Sequence, residues 1–151
     1  RELALELGAD VAIDSQAQDM TAAIREANGG KRVDVILDMT GGRITDESVN
    51  ALAPFGRLGF YGQASREAPK PIAPTNLLVH STTIAGMWLP HAFRLPGNVV
   101  GQAMSELFEL AIDDQLRVVA GGEYALADAR LAHEALRSRG TTGKLVLNPQ
   151  L

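Results

Sequence analysis

The segment VDVILDMTGG, residues 33–42, decides how this sequence folds. Its first six residues are mostly aliphatic and β-branched, as expected of a parallel strand buried on both faces. An acid closes the strand, and two glycines follow where the backbone must turn sharply. The segment GRLGFYG, residues 56–62, is a second apolar strand that ends in glycine. We therefore expect two strands that each lead into a glycine turn.

The residues between these two strands have the pattern of a crossover helix. Residues 45–53 place Val49, Leu52 and Ala53 on one face, and Pro54 is expected to end the helix. Strand, helix and strand then form a parallel βαβ unit. Ligands of such sheets bind beyond the carboxyl ends of the strands, so the two glycine turns are candidate ligand contacts.

The rest of the chain alternates between strand and helix patterns, which predicts an α/β fold with a mostly parallel sheet. The first residues resemble the last turns of a helix that Gly8 ends, so the chain is expected to begin within an element. Asp19 and Asn98 are expected N-caps. Strands are expected at residues 10–14, 82–89 and 144–147, extended pieces at 118–119 and 124–126, and helices at 19–28, 76–80, 98–111 and 128–138.

Composition and charge limit the classes of function. The 151 residues suffice for one core, and 46% hydrophobic with 21% charged residues is ordinary for a globular protein. A net charge of −4 without basic runs argues against a nucleic-acid partner. No apolar run approaches a membrane span. The absence of cysteine excludes disulfides and thiolate zinc sites, which fits a cytoplasmic protein.

Metal-dependent and nucleophilic chemistry find no support in the sequence. The histidines His80, His91 and His133 lack the paired spacing of a zinc site, so we expect no metal. No G-x-S-x-G elbow is present that would make Ser65 or Ser81 a nucleophile.

Four segments resemble, in their order and spacing, the medium-chain dehydrogenase/reductase superfamily. The resemblance is narrower to the zinc-independent quinone oxidoreductases and related enoyl reductases, and it covers essentially the whole chain. It implies a Rossmann-type doubly wound parallel sheet and hydride transfer from NADPH, or alternatively NADH, to a quinone or enone. The segments are LGAD (7–10), VDVILD (33–38), LAPFGRL (52–58) and GKLVL (143–147).

The sequence departs from the family pattern in what it lacks. Family members hold the pyrophosphate with a glycine-rich loop after their first strand, and no G-x-G-x-x-G occurs here. The first two strands and the catalytic domain are missing as well. We therefore expect residues 1–151 to be a truncated cofactor-binding domain, an incomplete sheet with exposed edges that need a partner. Such a fragment should be catalytically inactive by itself.

The resemblance implies cofactor contacts at both glycine turns. Residues 39–41 would lie near the adenosine and pyrophosphate, residues 61–63 near the nicotinamide ribose and amide, and Ser15 at the adenosine end. The simpler alternative is that the glycines only let strands turn into helices. Arg139 matches an arginine that reaches the 2′-phosphate of NADPH, although a cation at a helix carboxyl end is also common. The expected cofactor-binding residues are Ser15, Met39, Thr40, Gly41, Tyr61, Gly62, Gln63 and Arg139.

No catalytic residue is assigned, because hydride transfer takes its chemistry from the nicotinamide. Asp38 is therefore expected to bond loop amides rather than to act as a general base. Trp88 is a candidate wall of a substrate cleft or a core or dimer contact. In the resembling enzymes the strand at residues 83–88, from Thr83 to Trp88 here, pairs with its copy in a second subunit, which implies a homodimer.

A different class of function stays open. The chain could be a non-catalytic α/β module for oligomerisation or binding, which has kept the fold and lost the cofactor. Saturable binding of NADPH would separate the two readings.

Overall fold

The computed structural model describes residues 1–138 and 140–151, so the expectation for Arg139 lies outside the described residues. The chain divides into two compact units, Arg1–Val99 and Val100–Leu151. Each unit has its own parallel sheet.

The first unit is built around a three-stranded parallel sheet in the order β1-β2-β3. The predicted βαβ unit is confirmed, because β1 and β2 are parallel neighbours and α3 lies between them in the chain. The elements of this unit are α1 (Glu2–Glu6), α2 (Met20–Ala27), β1 (Val33–Asp38), α3 (Gly42–Ala51), β2 (Leu52–Phe60), α4 (Pro74–His80), β3 (Thr83–Gly86) and α5 (Leu89–Ala92).

Two boundaries of the βαβ unit differ from the prediction. Helix α3 begins at Gly42 and ends at Ala51, so Pro54 lies inside β2 instead of ending the helix. The strand tolerates this proline because the register between β1 and β2 shifts there, and Phe55 takes a positive φ of 64°.

The strand predicted at residues 10–14 is wrong. Within the described residues no strand lies beside it to complete a hydrogen-bond ladder, and a strand needs such a partner. Asp14 forms a turn instead, in which its carboxylate accepts from the Gln16 amide at 2.9 Å and its carbonyl accepts from the Ala17 amide at 3.0 Å.

The helix predictions are confirmed with shifted ends. Asp19 caps α2 as expected, because its carboxylate accepts a hydrogen bond from the Ala22 amide at 2.8 Å. Helix α4 starts two residues before the predicted start, with Pro74 in its first turn. Proline is tolerated there because the first amides of a helix have no acceptor within the helix. Strand β3 ends at Gly86, three residues early, because α5 follows at Leu89.

The second unit pairs two parallel strands of its own. The strand of this unit that comes first spans Ala120–Ala125 and is followed by a short 3-10 helix, so it contains most of the extended piece expected at residues 124–126. The expectation for residues 118–119 is wrong, because they precede this strand. The backbone just before the last strand passes so close to residue 119 that glycine is required at residue 143. A Cβ on Gly143 would lie 2.4 Å from the Val119 carbonyl oxygen. The elements are α6 (Val99–Ile112), β4 (Ala120–Ala125), the 3-10 helix (Leu126–Asp128), α7 (Ala129–Arg137) and β5 (Lys144–Asn148).

The buried apolar side chains of the first unit lie on its central strand, at the end of α3 and at the start of α2. They are Met20, Ala51, Leu52 and Leu58. The expectation that residues 33–38 are buried on both faces is wrong: Val35 and Leu37 are 54% and 74% exposed. Strand β1 has a neighbour on one side only, so it is an edge of the sheet in the part of the chain that the structure describes.

Candidate functional site

Asp38 closes β1 and organises the turn that follows. Its carboxylate is buried and accepts hydrogen bonds from the Thr40 amide at 2.7 Å and from the Thr45 hydroxyl. Both carboxylate oxygens therefore have donors inside the protein. The expectation that Asp38 bonds loop groups is confirmed, and this arrangement holds the start of α3 against the end of β1.

Three backbone hydrogen bonds join the turn after β1 to the turn after β2. The Tyr61 amide donates to the Asp38 carbonyl, the Ala64 amide to the Met39 carbonyl and the Ser65 amide to the Thr40 carbonyl, each at 2.9 Å. The structure thus brings residues 39–41 and 61–63 together at one edge of the sheet.

Glycine is required at two positions of these joined turns. Gly41 has φ 81° and ψ −175°, a region almost restricted to glycine, and a Cβ there would lie 2.8 Å from the Gln63 Cγ. A Cβ on Gly62 would lie 2.9 Å from the Met39 carbonyl oxygen. Close packing of one turn on the other accounts for both glycines, so their presence alone does not demonstrate a ligand.

A cavity of about 310 Å³ opens at the carboxyl ends of β2 and β3. Tyr61 and Trp88 are 43% and 67% exposed, which leaves their ring faces available for stacking. His91 was not predicted to lie here; the signal for it in the sequence is its position shortly after a strand end. The lining residues are Phe60, Tyr61, Gly62, Gln63, Gly86, Met87, Trp88 and His91.

Arg43, which sequence analysis also missed, ties the Ser15 loop to the start of α3. Its guanidinium donates to the Ser15 carbonyl at 3.2 Å and to the Ala17 carbonyl at 3.0 Å. It also pairs with Glu47 at 2.7 Å. Ser15 therefore lies on a segment held to the helix that follows the β1 turn. The side-chain hydrogen bond from Arg43, together with one from the Met20 amide, holds the pKa of Glu47 below its ordinary value.

Within residues 1–138 and 140–151, no group of three or more histidine, cysteine, aspartate or glutamate side chains is placed to hold a metal ion. No helix in this part of the chain has both the length and the apolar character needed to cross a membrane.

The parallel βαβ unit, with its turns joined at the strand ends, is typical of a Rossmann-type fold. The chain belongs to the zinc-binding dehydrogenase family, whose model matches residues 7–147. This confirms the resemblance to the medium-chain dehydrogenase/reductase superfamily.

Comparison with known proteins gives three informative relatives. The 2-haloacrylate reductase of a Burkholderia species is 30% identical over 99% of this chain and 45% of its own length. A quinone oxidoreductase of Salmonella typhimurium is 32% identical over 97% of this chain and 45% of its own length. A mycobacterial protein complexed with NADPH superposes with a TM-score of 0.82 and 34% identity, over 98% of this chain and 46% of its own. The chain thus spans about half the length of these relatives.

Proposed function

We propose that this chain is the cofactor-holding part of an NADPH-dependent oxidoreductase that reduces a quinone or an enone. The observation that carries the proposal is the joining of two glycine turns at the ends of β1 and β2, beside an aromatic cavity. The NADPH complex of the mycobacterial relative supports the cofactor, and the names of the quinone oxidoreductase and 2-haloacrylate reductase support the substrate class.

The described residues fit the nicotinamide end of a dinucleotide. A cavity of about 310 Å³ lies at the lower end of the range of ligand pockets, so it suits a single ring and its substituent. Tyr61 and Trp88 offer ring faces for stacking, and the Gln63 amide offers a donor and an acceptor to a carboxamide. When bound, NADPH supplies the hydride, and these residues orient its ring and exclude water from one side.

This chain offers fewer contacts for the adenosine end of the dinucleotide than for the nicotinamide end. Residues 39–41 and the Ser15 loop lie at the β1 turn, but the sequence has no glycine-rich loop to hold a pyrophosphate. The assignment of Arg139 to a 2′-phosphate, and with it the preference for NADPH over NADH, belongs to this proposal. We expect the 151 residues alone to bind NADPH weakly, with a Kd of about 1 mM.

Fluorescence of Trp88, the only tryptophan in the sequence, tests this proposal directly. Titration with NADPH should quench it saturably. The sequence has two tyrosines, which provide a matched pair of variants. Tyr61→Leu, in the cavity, should weaken the binding several-fold, whereas Tyr124→Leu, in β4, should leave it unchanged. A lack of any saturable quenching up to about 10 mM NADPH would contradict the proposal.

We expect no turnover from the isolated chain, because the relatives are about twice as long and a catalytic domain is not recognisable here. The assay is NADPH-dependent reduction of 1,4-benzoquinone by the purified 151 residues. Oxidation of NADPH well above the protein-free rate would contradict the expected inactivity while supporting the oxidoreductase assignment.

The cytoplasmic location and the homodimer are parts of the same proposal. Residues 83–88 lie at the open edge of β3, where Met87 and Trp88 are more than half exposed. Pairing of this edge with its copy would extend the sheet across a two-fold axis. Sedimentation equilibrium should then give twice the monomer mass, and Ile84→Pro, which disturbs the β3 ladder, should give the monomer.

The rival function is a non-catalytic module that associates through its sheet. The exposure of Val35 and Leu37 on edge strand β1 favours it, because such an edge is a template for another strand. Self-association together with a lack of NADPH binding would favour this module.

A further inference from the structure

A larger cavity lies at the opposite end of the first unit's sheet from the candidate cofactor site. It has a volume of about 510 Å³. Arg32, Leu52 and Thr82 line it, and these residues stand immediately before or at the start of β1, β2 and β3. The remaining walls come from Thr21 of α2, from α3, from α4 and from residues 70–72. The cavity is therefore separated from the joined glycine turns by the length of the strands.

Hydrogen bonds hold several walls of this cavity in place. The Arg32 guanidinium donates to the Asn50 carbonyl at 2.7 Å and to the Leu52 carbonyl at 3.0 Å, across the junction of α3 and β2. The Lys70 amide donates to the Asp46 carboxylate at 2.8 Å, which ties the loop before α4 to α3. Such a preformed cavity loses little conformational entropy when a ligand enters.

Positive charge predominates among the lining side chains. Arg32 and Lys70 each carry a positive charge. Asp46 is the single acid among the lining residues, and it already accepts the Lys70 amide. Some carbonyls at the ends of the two helices already accept hydrogen bonds: Arg32 donates to a carbonyl of α3, while the Ser81 and Thr82 amides donate to carbonyls of α4.

Apolar side chains also line the cavity, among them Val49, Leu52, Ile72 and Leu77. A cavity lined by both cationic and apolar groups suits a molecule that has an anionic head and an apolar body. We infer that this cavity, the amino-end cavity, is a second ligand site that binds a small carboxylate with an aromatic or aliphatic body. Neither the proposed oxidoreductase activity nor the NADPH site is needed for this inference.

A charge series of one ring system tests the inference on the 151-residue chain. The probes are 2-naphthoate, 2-naphthylmethanol and 2-naphthylmethylammonium, which are anionic, neutral and cationic. Binding is measured by calorimetry and located by amide chemical shifts. We expect 2-naphthoate to bind most tightly and to shift the amides of Thr21, Lys70, Leu77 and Thr82. Equal or tighter binding of the neutral or cationic probe, or shifts confined to residues 60–63, would overturn the inference.

A pair of lysine variants adds a matched control. Lys70→Met removes a charge from the amino-end cavity but keeps the backbone amide that binds Asp46. It should weaken 2-naphthoate binding about fivefold, as expected for one partly exposed charge pair. Lys144→Met makes the same charge change in β5 and should leave the affinity unchanged. Equal effects of the two variants, with both proteins folded by circular dichroism, would overturn the inference. A lack of 2-naphthoate binding at about 10 mM would overturn it as well.

Discussion

Strands β1 and β2 have similar apolar sequences but opposite environments. In β2, Leu58 is 1% exposed, whereas Leu37 in β1 is 74% exposed. Val35 and Leu37 lie on the same face of β1, so among the described residues that face lacks the packing that encloses Leu58. An apolar strand sequence thus indicates that the strand is most stable when both of its faces are buried. In β1 the described residues leave one face exposed to solvent.

Truncation of a leucine in each strand gives the largest expected difference. Leu58→Ala should lower the free energy of unfolding by about 3 kcal/mol, since it leaves a cavity in the centre of the first unit. Leu37→Ala should change it by less than about 0.5 kcal/mol, because this side chain is mostly in solvent. Urea denaturation measures both values, and similar losses would contradict the contrast between the two strands.

Glycine substitutions test the link between the strand ends. Gly41→Ala places a Cβ 2.8 Å from the Gln63 Cγ in a backbone region that alanine avoids, so it should cost about 3 kcal/mol. Gly30→Ala is the control, since Gly30 has φ 82° and a Cβ added there would meet nothing within 4 Å. It should cost about 1 kcal/mol, for the backbone alone. Equal losses in urea denaturation would show that the two turns are not packed as described.

The Asp38–Thr45 hydrogen bond should contribute a smaller amount to the end of β1. Thr45→Val removes the hydroxyl but keeps the shape, so the buried carboxylate loses one donor and unfolding should become easier by about 2 kcal/mol. Thr83→Val, at an exposed position of β3, serves as the control and should be nearly neutral. Thermal unfolding of the two variants measures the difference. Equal stability of the Thr45 and Thr83 variants would exclude a stabilising role for this bond.

The smallest expected effect depends on pH. Because Arg43 lowers the pKa of Glu47, the pair stabilises the fold above the ordinary glutamate value of 4.5 and loses this contribution as the pH falls below it. Glu47→Gln should therefore be less stable than the wild type at pH 7, and the difference should shrink towards pH 3. Glu26→Gln, at an exposed position of α2, should show little change. Parallel curves for the wild type and Glu47→Gln across this range would contradict the proposed pairing.

The sequence predicted a helix or strand well where residues close by in the chain are sufficient to specify it. The βαβ unit and the Asp19 cap needed only local periodicity and capping chemistry. Residues 10–14 failed because alternation describes a strand only when another strand lies beside it. The end of α3 was predicted wrongly from Pro54, because a bulge can place a proline within a strand.

The candidate site was predicted less completely than the fold. The strand-end rule indicated the two glycine turns and the family resemblance indicated residues 39–41 and 61–63, which the structure brings together. Arg43 and His91 were missed because their roles depend on long-range placement: Arg43 reaches carbonyls 26 and 28 residues away. The amino-end cavity was missed for the same reason, since its walls come from segments between residues 21 and 82.

Amide chemical-shift mapping of NADPH on the 151-residue chain is the most direct test of the account. If the strand ends hold the cofactor, the amides of Thr40, Gly41, Tyr61, Gly62 and Gln63 should shift together and saturate with one Kd. Saturable shifts confined to other parts of the chain, or no shifts at millimolar NADPH, would contradict it.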